Sequence, residues 1–124
     1  MRGDTDIMKL LVCGTRAAKL TQQEFNATMN FYFGEHAEKI TEIIEGCCPT
    51  SADVLAEKWA EEHKIKIDHY PANEGNYLKR NIEMLNACDE VLAFWSGFSY
   101  GTCFVIARAV ELGKSVRIIR VGDW

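Results

Sequence analysis

A chain of 124 residues, 48% hydrophobic and 26% charged, has room for one domain with one real core, and this composition excludes a disordered or fibrous protein. The net charge of -4 and pI near 5.4 argue against a surface built for a nucleic-acid polymer, which shows as clustered Lys and Arg. They leave room for a small anionic ligand held by two or three local donors.

No apolar run approaches the roughly 18 residues a membrane span needs. Met1 to Asp6 is polar with no hydrophobic signal core behind it. The expectation is a cytoplasmic protein without membrane contact, in which residues 1–7 are a disordered or added extension and residues 8–124 form a single domain. Cys13, Cys47, Cys48, Cys88 and Cys103 are an odd set without CxxC spacing, which disfavours a disulfide framework or zinc knuckle. Cys13 and Cys88 fall in apolar segments and read as small buried hydrophobes. His36, His63 and His69 are scattered over different elements, so neither a bound metal nor a cofactor is expected.

Met8 to Cys13 is rich in Leu and Val and reads as a first strand, ended by Gly14-Thr15-Arg16. Thr21-Gln22-Gln23-Glu24 has capping-box spacing, and Phe25, Met29, Tyr32 and Phe33 then recur at helical intervals until Gly34. Ile40, Ile43 and Ile44 mark a second strand, which empties into the small-residue loop Gly46 to Asp53. Leu55, Ala56, Trp59 and Ala60 continue as the apolar face of a helix that Ser51 or Asp53 is placed to cap.

Ile65 to Tyr70 is a third strand, followed by the turn-forming residues 71–76. Tyr77, Leu78, Ile82 and Leu85 give the next helix its apolar face, with Arg80 and Asn81 in its early turns, where a guanidinium can reach an anion. Val91 to Trp95 is the fourth strand. Val105, Ile106, Ala109, Val110 and Leu112 are the expected buried face of the last helix, and Gly113 suits its C′ position before a fifth strand, Val116 to Val121.

Between the fourth strand and that helix lies Ser96-Gly97-Phe98-Ser99-Tyr100-Gly101-Thr102. Its glycines allow close backbone approach, and its hydroxyls stand beside a helix N-terminus with unpaired N–H groups, which suits a phosphate. A βα turn that merely needs glycine is the alternative. Trp95, Phe98 and Tyr100 are candidates to stack on a base, although Trp95 at a strand end can also simply pack.

This alternation predicts an α/β fold, a Rossmann-like three-layer sandwich with a five-stranded parallel sheet in the order 3-2-1-4-5 and helices on both faces. Ligands of such sheets bind beyond the carboxyl ends of the strands, where the strand order reverses. Gly14-Thr15-Arg16, Gly46 to Asp53, Arg80-Asn81 and Ser96 to Thr102 all collect there.

Gly14-Thr15-Arg16, Gly46 through Ala52-Asp53, Arg80-Asn81 with Met84, Asp89 before Ala93-Phe94, and Gly97 to Gly101-Thr102 together resemble the YspA-like branch of the SLOG superfamily over Lys9 to about Val121. That superfamily includes the Lonely Guy phosphoribohydrolases and domains that bind nucleotides or nucleotide-derived signals. The resemblance implies a Rossmann-like fold that often forms homodimers or higher homo-oligomers. It also implies a phosphate loop at Gly97, Ser99, Gly101 and Thr102, with Arg80 beside it and Gly14, Arg16 and Asp53 in two further pocket loops.

Two departures stand out. The acidic residues that follow the Gly-Thr pair in phosphoribohydrolases are here Phe104 and Val105, which can neither stabilise an electron-poor ribosyl centre nor activate water. The family's Gly-Gly-Ala-x-Gly-Ala-Asp stands here as Gly46-Cys47-Cys48-Pro49-Thr50-Ser51-Ala52-Asp53, one residue longer and poorer in glycine.

Three functions follow as expectations. The first is a binding module for a nucleotide or nucleotide-derived signal, acting as sensor, carrier or sequestering protein, with Asp53 as acceptor for ribose hydroxyls. The second is an N-glycosidic hydrolase or deoxyribosyltransferase on nucleoside monophosphates, in which Asp53, Glu45 or Glu83 replaces the missing acids. The third is a protein-interaction domain on a retained fold.

Overall fold

A computed structural model describes residues 7–16, 19–46, 52–72 and 75–122. The expectations placed on residues 1–6, on the Cys47 to Ser51 part of the second loop, and on Asn73-Glu74 lie outside the described residues. Five strands, β1 (Met8–Gly14), β2 (Ile40–Glu45), β3 (Lys66–His69), β4 (Glu90–Trp95) and β5 (Ser115–Arg120), form one sheet in the order 3-2-1-4-5. All of its pairings are parallel, so the sequence-derived fold class holds.

The apolar runs of β1 and β4 are buried on both sides because the pleat sends alternate residues to opposite faces. Leu10, Val12, Leu92 and Phe94 face helices α1 (Gln22–Phe33) and α2 (Ala52–Glu62). Leu11, Cys13, Val91 and Ala93 face α3 (Tyr77–Ala87) and α4 (Tyr100–Glu111). Crossover connections therefore place two helices on each side, the three-layer arrangement that a parallel sheet requires.

Local signals set the helix ends. Thr21 Oγ1 accepts from the Glu24 N–H at 3.1 Å and Glu24 Oε1 accepts from the Thr21 N–H at 2.9 Å, the reciprocal capping box the spacing predicts. A 3-10 segment, Gly34–Lys39, then leads into β2. Gly113 at φ +74° ends the last helix in the left-handed region that glycine tolerates.

Two helix faces differ from expectation. In α3 the buried residues are Asn81, Met84 and Leu85, whereas Tyr77, Leu78 and Ile82 are exposed. In α4 they are Thr102, Val105 and Ala109, while Val110 and Leu112 are exposed. Each helix packs through a stripe narrower than its apolar composition, and small or polar residues at the early turns face the sheet end where side-chain space is left open. Among the described residues no helix is long and apolar enough to cross a membrane.

Candidate functional site

The carboxyl ends of β1 and β4 stay paired as far as Gly14 and Phe94, and beyond them, where the strand order reverses, a cleft of about 830 Å³ opens. A hydroxyl latch fixes its floor. Thr15 N–H donates to the Phe94 carbonyl at 2.8 Å, Ser96 N–H donates to Thr15 Oγ1 at 2.9 Å, and the Thr15 hydroxyl donates on to Ser96 Oγ at 3.3 Å. Both hydroxyls are buried, and Ser96 Oγ also accepts from the Phe98 N–H at 3.2 Å. Ser96 thus braces the loop and does not line the cleft.

The wall contributed by β1 is Cys13 to Arg16. Cys13 is no nucleophile: burial, with the charge of Asp53 adding to it, pushes its thiol far above the ordinary range. A Cβ on Gly14 would stand 2.9 Å from the Phe94 carbonyl oxygen, so the close approach of the two strand tips requires glycine.

A second wall joins Gly46, after β2, to Asp53 in the first turn of α2 and Arg80 in α3. Asp53 is buried, and its Oδ2 accepts from the Gly46 N–H at 3.2 Å; it lies inside the helix, one position beyond its first residue, rather than capping it from outside. The Arg80 guanidinium donates from Nη1 to the carbonyls of Gly46 at 2.8 Å and Tyr70 at 3.2 Å, and from Nε to Asn81 Oδ1 at 2.8 Å. Arg80 therefore ties the ends of β2 and β3 to α3 while presenting its cationic group to the cleft.

Two guanidinium groups stand near the Tyr77 ring, Arg16 5.6 Å and Arg80 5.8 Å from its centroid. Its cleft position is a residue role the sequence reading missed, because Tyr77 was assigned to a buried apolar face. The signal that could have found it is its place three residues before Arg80, which puts both on one side of α3. Pro71, Ala72 and Met84 complete this side with apolar surface.

The third wall is the start of α4. Ser99 is its N-cap, its hydroxyl accepting from the Thr102 N–H at 3.5 Å, and Ser99, Gly101, Thr102 and Val105 line the cleft. The two glycines of this loop differ in kind. Gly97 has φ +99° and the Arg120 guanidinium 3.1 Å from where its Cβ would be, so the turn itself demands glycine there, and Gly97 is not a cleft residue. A Cβ on Gly101 would meet no protein atom within 4 Å, so packing does not account for that glycine. Its bare backbone opens onto the cleft beside a helix N-terminus.

Phe98 and Tyr100 are exposed and do not line the cleft, and Trp95 donates from Nε1 to the Ser99 carbonyl at 3.1 Å. The aromatic ring in the cleft is therefore Tyr77 rather than any of these three. Of the carboxylates considered for catalysis, Asp53 lines the cleft, Glu83 is exposed outside it, and fully buried Glu45 turns to the other face of β2, where His69 Nδ1 pairs with its Oε1. Val105 places an apolar side chain in the cleft wall and Phe104 packs against the α3 and α4 core. Asp89 lies at the opposite end of the sheet, where Oδ2 accepts from the Lys9 N–H at 2.8 Å.

The cleft thus combines two guanidinium groups, a helix N-terminus with a hydroxyl cap, one buried carboxylate and one aromatic face. That set can neutralise an anion, accept from hydroxyls and cover a flat ring. No family model, curated protein or solved structure matches the chain.

Proposed function

We propose that this protein binds a nucleotide or nucleotide-derived ligand in the cleft beyond β1 and β4, as a sensor, carrier or sequestering protein. The observation that carries the proposal is the pair Arg16 and Arg80 gathered at the Tyr77 ring, in the same cleft as the N-terminus of α4. Phosphate oxygens suit the guanidinium groups and the N–H of Gly101, ribose hydroxyls suit Asp53, and a base suits the Tyr77 ring. The resemblance to the YspA-like branch of the SLOG superfamily supports the same reading. It carries with it a homodimer or higher homo-oligomer, which light scattering on the purified protein checks.

Hydrolysis of an N-glycosidic bond is the second reading, favoured by the presence of Asp53 in the cleft. Asp53 would then have to serve the reacting centre while it holds the Gly46 N–H, and Val105 stands where phosphoribohydrolases place an acid. One experiment separates the readings: native mass spectrometry after incubation with nucleoside mono- and diphosphates, cyclic nucleotides and ADP-ribose, with the supernatant assayed for free base. Intact nucleotide retained by the protein is the expected result. Free base accumulating beyond the protein concentration makes the protein a hydrolase, and neither signal leaves a protein-interaction domain.

A further inference from the structure

A second cluster lies on the α2 face of the sheet. Glu45 and His69 are the last residues of β2 and β3 and are register partners, so the sheet sets them side by side with no help from loops. Above them, α2 brings Glu57 one turn beyond Asp53, with Oε2 4.0 Å from His69 Nδ1. One carboxylate oxygen from each of Glu45 and Glu57 and one ring nitrogen of His69 all lie within 4.8 Å of one another.

We propose that Glu45, Glu57 and His69 form a binding site for a divalent transition-metal ion of the zinc type. Ligand atoms about 2.1 Å from such an ion stand roughly 3.0 to 3.4 Å apart, so adjustments of about an ångström in two side chains form the site. Those two stand toward solvent, His69 47% and Glu57 34% exposed, while Glu45 is the fully buried member.

Charge supports an ion here. A carboxylate as deeply buried as that of Glu45 needs a positive partner at contact distance. Two carboxylates, one of them fully buried, converge on His69 Nδ1, and a dication held by all three side chains balances both. One nitrogen and two oxygens, without thiolate, suit zinc, manganese, iron(II) or cobalt(II) and disfavour magnesium and calcium, which prefer all-oxygen sets. The exposed side would keep positions for water, as in an open rather than a closed structural site.

The test uses untagged full-length protein, stripped with chelator and titrated with Co²⁺ as a spectroscopic stand-in for Zn²⁺. Binding is followed by visible absorption and calorimetry in the wild type, Glu57→Gln and His69→Gln, with circular dichroism to confirm that each variant is folded. Expected are one Co²⁺ per chain with visible bands but no thiolate-to-cobalt band, displacement by Zn²⁺ but not by excess Mg²⁺, and at least a tenfold loss of affinity in each variant. Three results would overturn the proposal: no binding by the wild type with Co²⁺ in hundredfold excess, equal affinity in wild type and both variants, or a thiolate band placing the ion on cysteine.

Discussion

Arg80 Nη1 donates to the Gly46 carbonyl at 2.8 Å, and a Cβ on Gly46 would stand 2.3 Å from that same nitrogen. The guanidinium occupies the space a side chain at residue 46 would need. Gly46→Ala should therefore push Arg80 out of the cleft wall, and the Gly46 and Tyr70 carbonyls then lose that donor. Nucleotide affinity should fall by about 1.5 to 3 kcal/mol, the range for a charged hydrogen bond. Calorimetry on Gly46→Ala and Arg80→Ala checks this, and an affinity within twofold of wild type for Gly46→Ala would uncouple the two residues.

Arg80→Ala should also lower stability, by about 1 to 3 kcal/mol, because it leaves the Gly46 and Tyr70 carbonyls without that donor. The sequence reading gives Arg80 a role toward an anion, and the structure adds its hydrogen bonds to two strand-end carbonyls. Urea denaturation of the variant decides between a purely ligand-directed arginine and one that also holds two strand ends.

Tyr77→Ala should weaken nucleotide binding by roughly 1 kcal/mol or more, the scale of one ring contact between aromatic faces. Phe98→Ala and Tyr100→Ala should leave it within twofold, since both side chains stand outside the cleft. The opposite ranking would move the base-binding face to the loop before α4.

Removing the N-cap hydroxyl of α1 by Thr21→Ala should cost about 1 kcal/mol of stability. The Glu24 carboxyl is held below its ordinary value by its hydrogen bond with the Thr21 N–H and by the Thr21 hydroxyl. Its contribution is present above the unfolded-state value and is lost as the pH falls through the lower folded-state value. The penalty of Thr21→Ala should accordingly shrink in acid, which denaturation midpoints at pH 7 and near pH 3 would show.

Glu42 has the opposite sign. Burial, together with a hydrogen bond with Asp68, raises its carboxyl above the ordinary value. The folded state therefore binds this proton more tightly than the unfolded chain, and stability declines as the pH rises through the interval between the two values. Glu42→Gln removes the charge and should raise the midpoint at pH 7, with the gain vanishing below the ordinary carboxylate range. A variant less stable than wild type at pH 7 would mean that the Lys66 ammonium, 4.0 Å away, outweighs burial.

The fold was legible because strand runs such as Leu10-Leu11-Val12 and Val91-Leu92-Ala93-Phe94 are apolar on both faces, which only a covered parallel sheet explains. The capping box and Gly113 marked helix ends through purely local chemistry. Faces of α3 and α4 were less legible. Tyr77, Leu78, Val110 and Leu112 are as apolar as their buried neighbours, and tertiary packing alone decides which side turns inward. In the loop before α4, Gly97 and Gly101 look alike in the sequence, yet one answers to backbone conformation and the other to open space. Counting histidines hid the cluster at His69, whose partners are carboxylates brought in by strand register and by another helix.

β1 pairs with a strand that begins eighty residues later, Leu10 opposite Glu90. Until that segment has been synthesised, a chain extended through β3 has a free sheet edge along Leu10, Leu11 and Val12, whose side chains are all fully buried in the folded protein. Such an edge is a template for wrong partners, and so long a closure makes folding slow compared with that of a helical bundle. The same pairing brings Thr15 against Ser96 and so closes the cleft floor. The closed cleft floor and protection from aggregation therefore arrive in one step, late in synthesis, and a chain truncated before β4 would have neither.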